Sequence, residues 1–103
     1  MGKFEVDLRR RVPAKKVTFP EGGEGEPGWM VRTENADGSI YGYAIACPGC
    51  GRWGSVRLAP GKEPVWAATG NPEEVETLTL NPSILVRCCG WHGYLRNGVF
   101  EPC

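Results

Sequence analysis

Two short cysteine turns, Cys47-Pro48-Gly49-Cys50-Gly51 and Cys88-Cys89-Gly90-Trp91-His92-Gly93, constrain this chain more than any other feature. A Cys-x2-Cys turn aims two thiolates at one point, and a Cys-x2-His turn completes a tetrahedral set of three sulfurs and one imidazole nitrogen, a set that structural zinc takes. The expected ligands are therefore Cys47, Cys50, Cys89 and His92 around Zn2+. His92 is the only histidine in the chain. Cys88 with His92 would give x3 spacing, and Cys88 also fits as a small apolar side chain turned into the core. Cys89 is preferred because its spacing to His92 repeats that of the first turn.

At 103 residues the chain is the size of one domain. A domain of that size buries only about 60 to 68% of its unfolded surface. A metal staple suits such a thin core, since structural zinc supplies roughly 10 to 16 kcal/mol of apparent folding free energy in small peptides. Fifteen glycines and nine prolines argue against long helices and for many turns, so the expected fold is mainly β: a small zinc-ribbon-like antiparallel sheet with hairpins and little or no helix. Five cysteines cannot all pair internally, and no apolar leader opens the sequence, so a reducing cytoplasm is the expected compartment. No stretch approaches the ~20 apolar residues of a membrane span, so no membrane partner is expected.

Formal net charge is zero, but the signs are segregated. Residues 1–20 read as a basic arm or edge strand, with Arg9, Arg10, Arg11, Lys15 and Lys16 as candidate contacts for nucleic acid or an acidic partner; Pro13 places any strand there at an edge. Residues 21–28, rich in glycine and glutamate, read as a flexible loop. Residues 29–103 read as the zinc-stabilised β domain. Within it, Asp37-Gly38 should turn a hairpin between residues 29–33 and 39–46, and the first cysteine turn should be the tip of a second. Glu73-Glu74 suits one helical turn, and period-two alternation then makes residues 77–80 a strand. The second cysteine turn follows Ile84-Leu85-Val86-Arg87, and Asn97-Gly98 is a further hairpin turn.

Catalytic templates fare poorly on sequence alone. No Walker lysine, G-x-G-x-x-G loop or G-x-S-x-G elbow is present. With His92 assigned to metal, no histidine is left as a general base. A nucleobase deaminase needs a glutamate two residues after its histidine, and Tyr94 stands there. No small-molecule substrate site is evident. Arg52, Trp53, Arg57, Arg87, Trp91, Tyr94 and Arg96 interleave basic and aromatic side chains near the cysteines, a pattern that serves either base stacking with phosphate contact or shielding of the metal.

The run Thr77-Leu78-Thr79-Leu80-Asn81-Pro82-Ser83-Ile84, followed by Cys89-Gly90-Trp91-His92-Gly93-Tyr94-Leu95-Arg96-Asn97-Gly98, resembles a family of small phage and prophage proteins of unknown function. Some of its members carry an ammonia monooxygenase label that nothing in these residues supports. A related family occurs in bacterial operons for ubiquitin-like conjugation. The resemblance covers Cys47 to Phe100; it implies a shared metal-binding β fold, supplies no activity, and favours Cys89 over Cys88 as ligand. The sequence thus reads as a non-catalytic, zinc-stabilised binding module of phage or prophage origin acting on a host or phage macromolecule. A nucleic-acid-binding zinc ribbon and a metal-dependent hydrolase with an open zinc are the alternatives.

Overall fold

The computed structural model describes residues 8–18, 25–58, 65–86 and 88–103. Half of the loop expected at residues 21–28, and residues 1–7, 19 and 20 of the arm, lie outside that set. The chain is mainly β, as its turn-rich composition implies, with one short 3-10 turn at Val75–Thr77 among the described residues. No helix is long and apolar enough to cross a membrane among those residues.

Among the described residues nine strands form two sheets where one was expected: β1 (Val12–Pro13), β2 (Lys15–Lys16), β3 (Trp29–Glu34), β4 (Ile40–Ala46), β5 (Trp53–Arg57), β6 (Ala67–Thr69), β7 (Thr79–Val86), β8 (Trp91–Arg96) and β9 (Val99–Pro102). The five-stranded sheet runs β1-β9-β8-β7-β6 and the four-stranded sheet β2-β3-β4-β5. All pairings are antiparallel except β2 with β3, which is parallel. Residues 12–16 join both sheets: Val12 pairs with Phe100 in one, and Lys15 with Trp29 in the other.

Local chemistry accounts for the hairpins. In the β3–β4 turn Gly38 takes φ +87, and the Asp37 carboxylate accepts from the Ser39 backbone N–H at 3.0 Å. Between β8 and β9, Asn97 and Gly98 take φ +46 and +75, the two left-handed positions of a tight hairpin turn. Gly98 serves a second purpose, because a Cβ there would lie 2.5 Å from the Glu76 backbone. The chain also hydrogen-bonds across this turn, from Gly98 N–H to the Leu78 carbonyl at 2.9 Å and from Ala14 N–H to the Gly98 carbonyl at 2.7 Å.

One apolar core fills the space between the sheets. Met30, Tyr43, Ile45 and Val56 come from the four-stranded sheet, and Leu80, Ile84, Trp91, Leu95 and Phe100 from the five-stranded one. Trp91 and Phe100 are fully buried and meet edge to face with ring centroids 6.0 Å apart. The buried Tyr43 hydroxyl donates to the Pro72 carbonyl, and burial, aided by the Glu73 charge, pushes that phenol up to about 12. Phe100→Ala should cost about 3–5 kcal/mol in urea unfolding, the usual range for truncating a buried aromatic. Leu85→Ala, at a side chain 59% exposed on β7, should change stability by no more than about 0.5 kcal/mol.

Candidate functional site

Each cysteine turn closes through the same backbone hydrogen bond. Gly51 N–H donates to the Cys47 carbonyl at 2.8 Å, and Gly90 N–H donates to the Val86 carbonyl at 3.0 Å. Gly51 and Gly90 take φ +83 and +78, left-handed positions that the reversal of the chain after each cysteine demands and that glycine fills without strain. Gly49 lets the two tips meet, since a Cβ there would lie 2.8 Å from Cys89 Sγ.

The thiols of Cys47, Cys50, Cys88 and Cys89 converge within 4.8 Å of one another and could hold a metal ion. Cys47 Sγ lies 3.5 Å from Cys89 Sγ, and Cys50 Sγ lies 3.2 Å from Cys88 Sγ. A tetrahedron of sulfurs at ~2.3 Å from a central zinc-sized ion has edges of about 3.8 Å, so small outward shifts would seat one. Burial pushes the Cys47 thiol up from its ordinary value. Cys88 is pushed up to about 11, by burial first and then by its hydrogen bond to Cys50. Cys50 also feels burial, but the backbone hydrogen bond from Arg52 and the neighbouring thiols outweigh it and leave Cys50 below the usual cysteine range. A soft divalent cation would replace the remaining thiol protons, which is the chemistry a four-thiol set performs.

Of the four residues expected as ligands, Cys47, Cys50 and Cys89 lie in this cluster and His92 does not; Cys88 occupies the fourth place. The reason is strand geometry. β8 begins at Trp91, directly after the Gly90 turn, and side chains alternate from there. Trp91, Gly93 and Leu95 are buried, so His92 belongs to the opposite, exposed face. Spacing alone treated His92 as part of the turn, whereas it is the second residue of a strand.

On that exposed face His92 Nε2 lies 2.9 Å from Ser83 Oγ. The two side chains come from adjacent strands. His92 stands directly opposite Leu85, and Ser83, two residues earlier on β7, is its diagonal neighbour, within reach of a long side chain. The register from Leu80↔Leu95 to Ile84↔Gly93 places three residues of β7 against one of β8, a bulge at Asn81-Pro82-Ser83 whose Asn81-Pro82 peptide is cis. Bulges re-aim side chains, and this one delivers Ser83 to the histidine. Trp66 Nε1–H donates to the Ser83 carbonyl at 3.3 Å and holds the bulge from the other flank. Among the described residues, Ser83 is the one side-chain hydrogen-bond partner of His92.

Sequence reasoning missed Ser83. No elbow motif surrounds it, yet Pro82-Ser83-Ile84 and Trp91-His92-Gly93 both stood in the resemblance, and pairing the strands that carry them would have joined the two. Of the proposed contact residues, Arg9, Arg10, Arg11 and Arg52 are exposed, and Lys15 and Lys16 are exposed on β2. Lys16 and Arg32 both pair with Glu73, at 3.4 and 2.8 Å. Trp53 packs toward Gly25 and Ala46, where a Cβ on Gly25 would lie 2.8 Å from its ring. Arg87 lies outside the described residues.

Residues 16–103 match the family model described as "Bacterial ubiquitination-like system serine protease (BubE)", and the chain belongs to that family. The match carries the ubiquitin-like side of the resemblance drawn from the sequence and does not speak to phage origin. Searches of curated proteins and of solved structures find no match.

The cysteine geometry has a direct test. Titration with Co2+ should give thiolate-to-metal charge-transfer absorption with one ion per chain. Cys47→Ser and Cys88→Ser should each abolish or strongly shift that band, and His92→Ala should leave it in place.

Proposed function

We propose that this protein is a serine protease in which Ser83 is the nucleophile and His92 its general base, and in which the four cysteines hold a structural zinc. The observation that carries the reading is the 2.9 Å contact between Ser83 Oγ and His92 Nε2 in a chain whose family is described as a serine protease. A serine hydroxyl is a weak nucleophile until a neighbouring base removes its proton, and nucleophile and base within hydrogen-bond reach are the signature of that activation.

The reaction follows from these two groups. Ser83 Oγ attacks the scissile carbonyl carbon as its proton passes to His92 Nε2. The resulting oxyanion collapses, the C–N bond breaks, and His92 returns the proton to the leaving amine, which leaves an ester on Ser83. Water, deprotonated by His92, then attacks the ester and releases the carboxylic acid and free serine. None of these steps requires a Lewis acid. Closed by four thiolates, the zinc would have no position for water, and its contribution would be to fix the β7–β8 hairpin that carries both reacting groups.

This reading departs from the non-catalytic binding module expected from the sequence, because that expectation committed the only histidine to metal. It keeps the idea of a macromolecular partner and names its class: a protein of a ubiquitination-like system, in keeping with the family description. The cytoplasm, where cysteines stay reduced and free to bind metal, is the compartment it implies.

A fluorophosphonate probe should label the protein once, and mass spectrometry should place the adduct on Ser83. Ser83→Ala should abolish labelling, and His92→Ala should slow it by about 10³-fold or more, without change in the far-ultraviolet circular dichroism. Labelling that survives in Ser83→Ala would overturn the assignment.

A further inference from the structure

The two close sulfur contacts in the cysteine cluster both cross from one hairpin tip to the other. Cys47 Sγ lies 3.5 Å from Cys89 Sγ, and Cys50 Sγ lies 3.2 Å from Cys88 Sγ. Each pair needs to close by only about 1 to 1.5 Å to reach disulfide bonding distance, a shift that side-chain rotation supplies. Pairing inside a tip is less well placed. Consecutive Cα atoms stand ~3.8 Å apart across a trans peptide, short of the ~4.4 Å at which disulfide geometry begins, so Cys88 and Cys89 are poor partners for each other. Cys47 Sγ accepts from the Gly49 N–H at 3.3 Å, and a Cβ on Gly49 would lie 2.8 Å from Cys89 Sγ. The turn thus holds the Cys47 sulfur on the side where Cys89 arrives.

Access separates the two pairs. Cys88 is exposed and Cys50 half-buried, whereas Cys47 is fully buried and Cys89 half-buried. An oxidant in solution therefore meets the Cys50–Cys88 pair first. Each pair also joins the two sheets, because Cys47 and Cys50 belong to the β4–β5 tip and Cys88 and Cys89 to the β7–β8 tip. The partners are 42 and 38 residues apart in sequence, so a bond in either pair would close a long loop, the kind of cross-link that most restricts an unfolded chain.

We infer that the cluster is a two-step redox clamp: peroxide joins Cys50 to Cys88 and then Cys47 to Cys89, and these disulfides across the tips replace the tie that a metal ion gives the reduced protein. In the first step the Cys88 thiolate attacks a peroxide oxygen, the O–O bond breaks, and hydroxide leaves, which converts Cys88 to a sulfenic acid. The Cys50 thiolate then attacks the Cys88 sulfur, the S–O bond breaks, and a second hydroxide leaves as the disulfide forms. Two electrons pass from the sulfurs to the peroxide oxygens. The ion, left with two thiolates where a closed site has four ligands, departs as the free divalent cation. A second peroxide oxidises Cys89, and the buried Cys47 resolves it in the same way. The β7–β8 hairpin thus stays fastened to the other sheet through an episode in which the metal is lost, and a dithiol reductant reverses both bonds. None of these steps involves Ser83 or His92, so the inference stands apart from the serine protease reading.

The test titrates the full-length, reduced, zinc-loaded protein with hydrogen peroxide and then blocks the remaining thiols with N-ethylmaleimide in denaturant. A chromogenic zinc chelator reads release of the ion, and mass spectrometry of unreduced proteolytic peptides, with fragmentation, reads the pairing. Early in the titration Cys50 should be joined to Cys88, with N-ethylmaleimide on Cys47 and Cys89 and the ion released. Further peroxide should join Cys47 to Cys89. The fully oxidised, zinc-free protein should melt about 10 °C or more above the reduced, zinc-free protein, and dithiothreitol should abolish the difference. Cys103→Ala should give the same pairs, which removes exchange through Cys103 as their source. The mapping is made on the wild-type protein, so it decides the matter whether or not a cysteine variant folds. A bond between Cys47 and Cys50, a bond between chains, first reaction at Cys47, zinc retained after the first disulfide, or equal melting temperatures would overturn the inference.

Discussion

The approach of two hairpin tips at one cluster of sulfurs is the constraint on which the rest of this molecule depends. Cys47 and Cys50 end the β4–β5 hairpin of one sheet, and Cys88 and Cys89 end the β7–β8 hairpin of the other. The cluster therefore lies where the two sheets meet at one end of their shared core, and a metal ion held there would tie them together. Three local features bring the two tips together. They are a fully buried Cys47, a glycine at position 49 where the tips touch, and a left-handed glycine after each turn. In a domain with so little interior, a metal tie of this kind would set the distance between the sheets, and with it the space between them.

The serine–histidine pair is built from ordinary strand geometry plus one irregularity. Alternation along β8 buries Trp91 and Leu95 and turns His92 to the other face. The bulge at residues 81–83 then brings Ser83 onto that face as the diagonal neighbour of His92. Neither residue lies at the tip that holds the cysteines, but both lie on the hairpin that the tip closes. Slippage of β7 against β8 by one residue would send one member of the pair to the opposite face, so the register of this hairpin and the candidate chemistry are one problem.

What was legible in the sequence was local. Asp37-Gly38 and Asn97-Gly98 announced their hairpins because a left-handed backbone has few residues to choose from. The cysteine turns announced a cluster that could hold a metal ion because thiols at that spacing aim at one point. Glu73-Glu74 followed by period-two alternation foreshadowed a short helical turn and then β7. Long-range choices were not legible. The parallel pairing of β2 with β3, and the division of the described strands into two sheets, depend on contacts between distant segments. The fourth member of the cluster was misjudged for a physical reason: x2 spacing describes a turn, and the turn ends at Gly90. Once His92 is read as a strand residue, Cys88 is left for the sulfur cluster and His92 is free to meet Ser83.

The strap at residues 12–16 bears on how readily copies of the chain could pair edge to edge. β1 closes the far edge of one sheet and β2 the far edge of the other, each with only two residues, one with Pro13 and the other with two lysines. Short edges that carry proline or lysine are poor templates for pairing between copies. The opposite rim, where β5 and β6 stand as outer strands and Leu58 bridges to Trp66, is the one beside Ser83. Pairing between copies is therefore disfavoured at both edges that the strap closes.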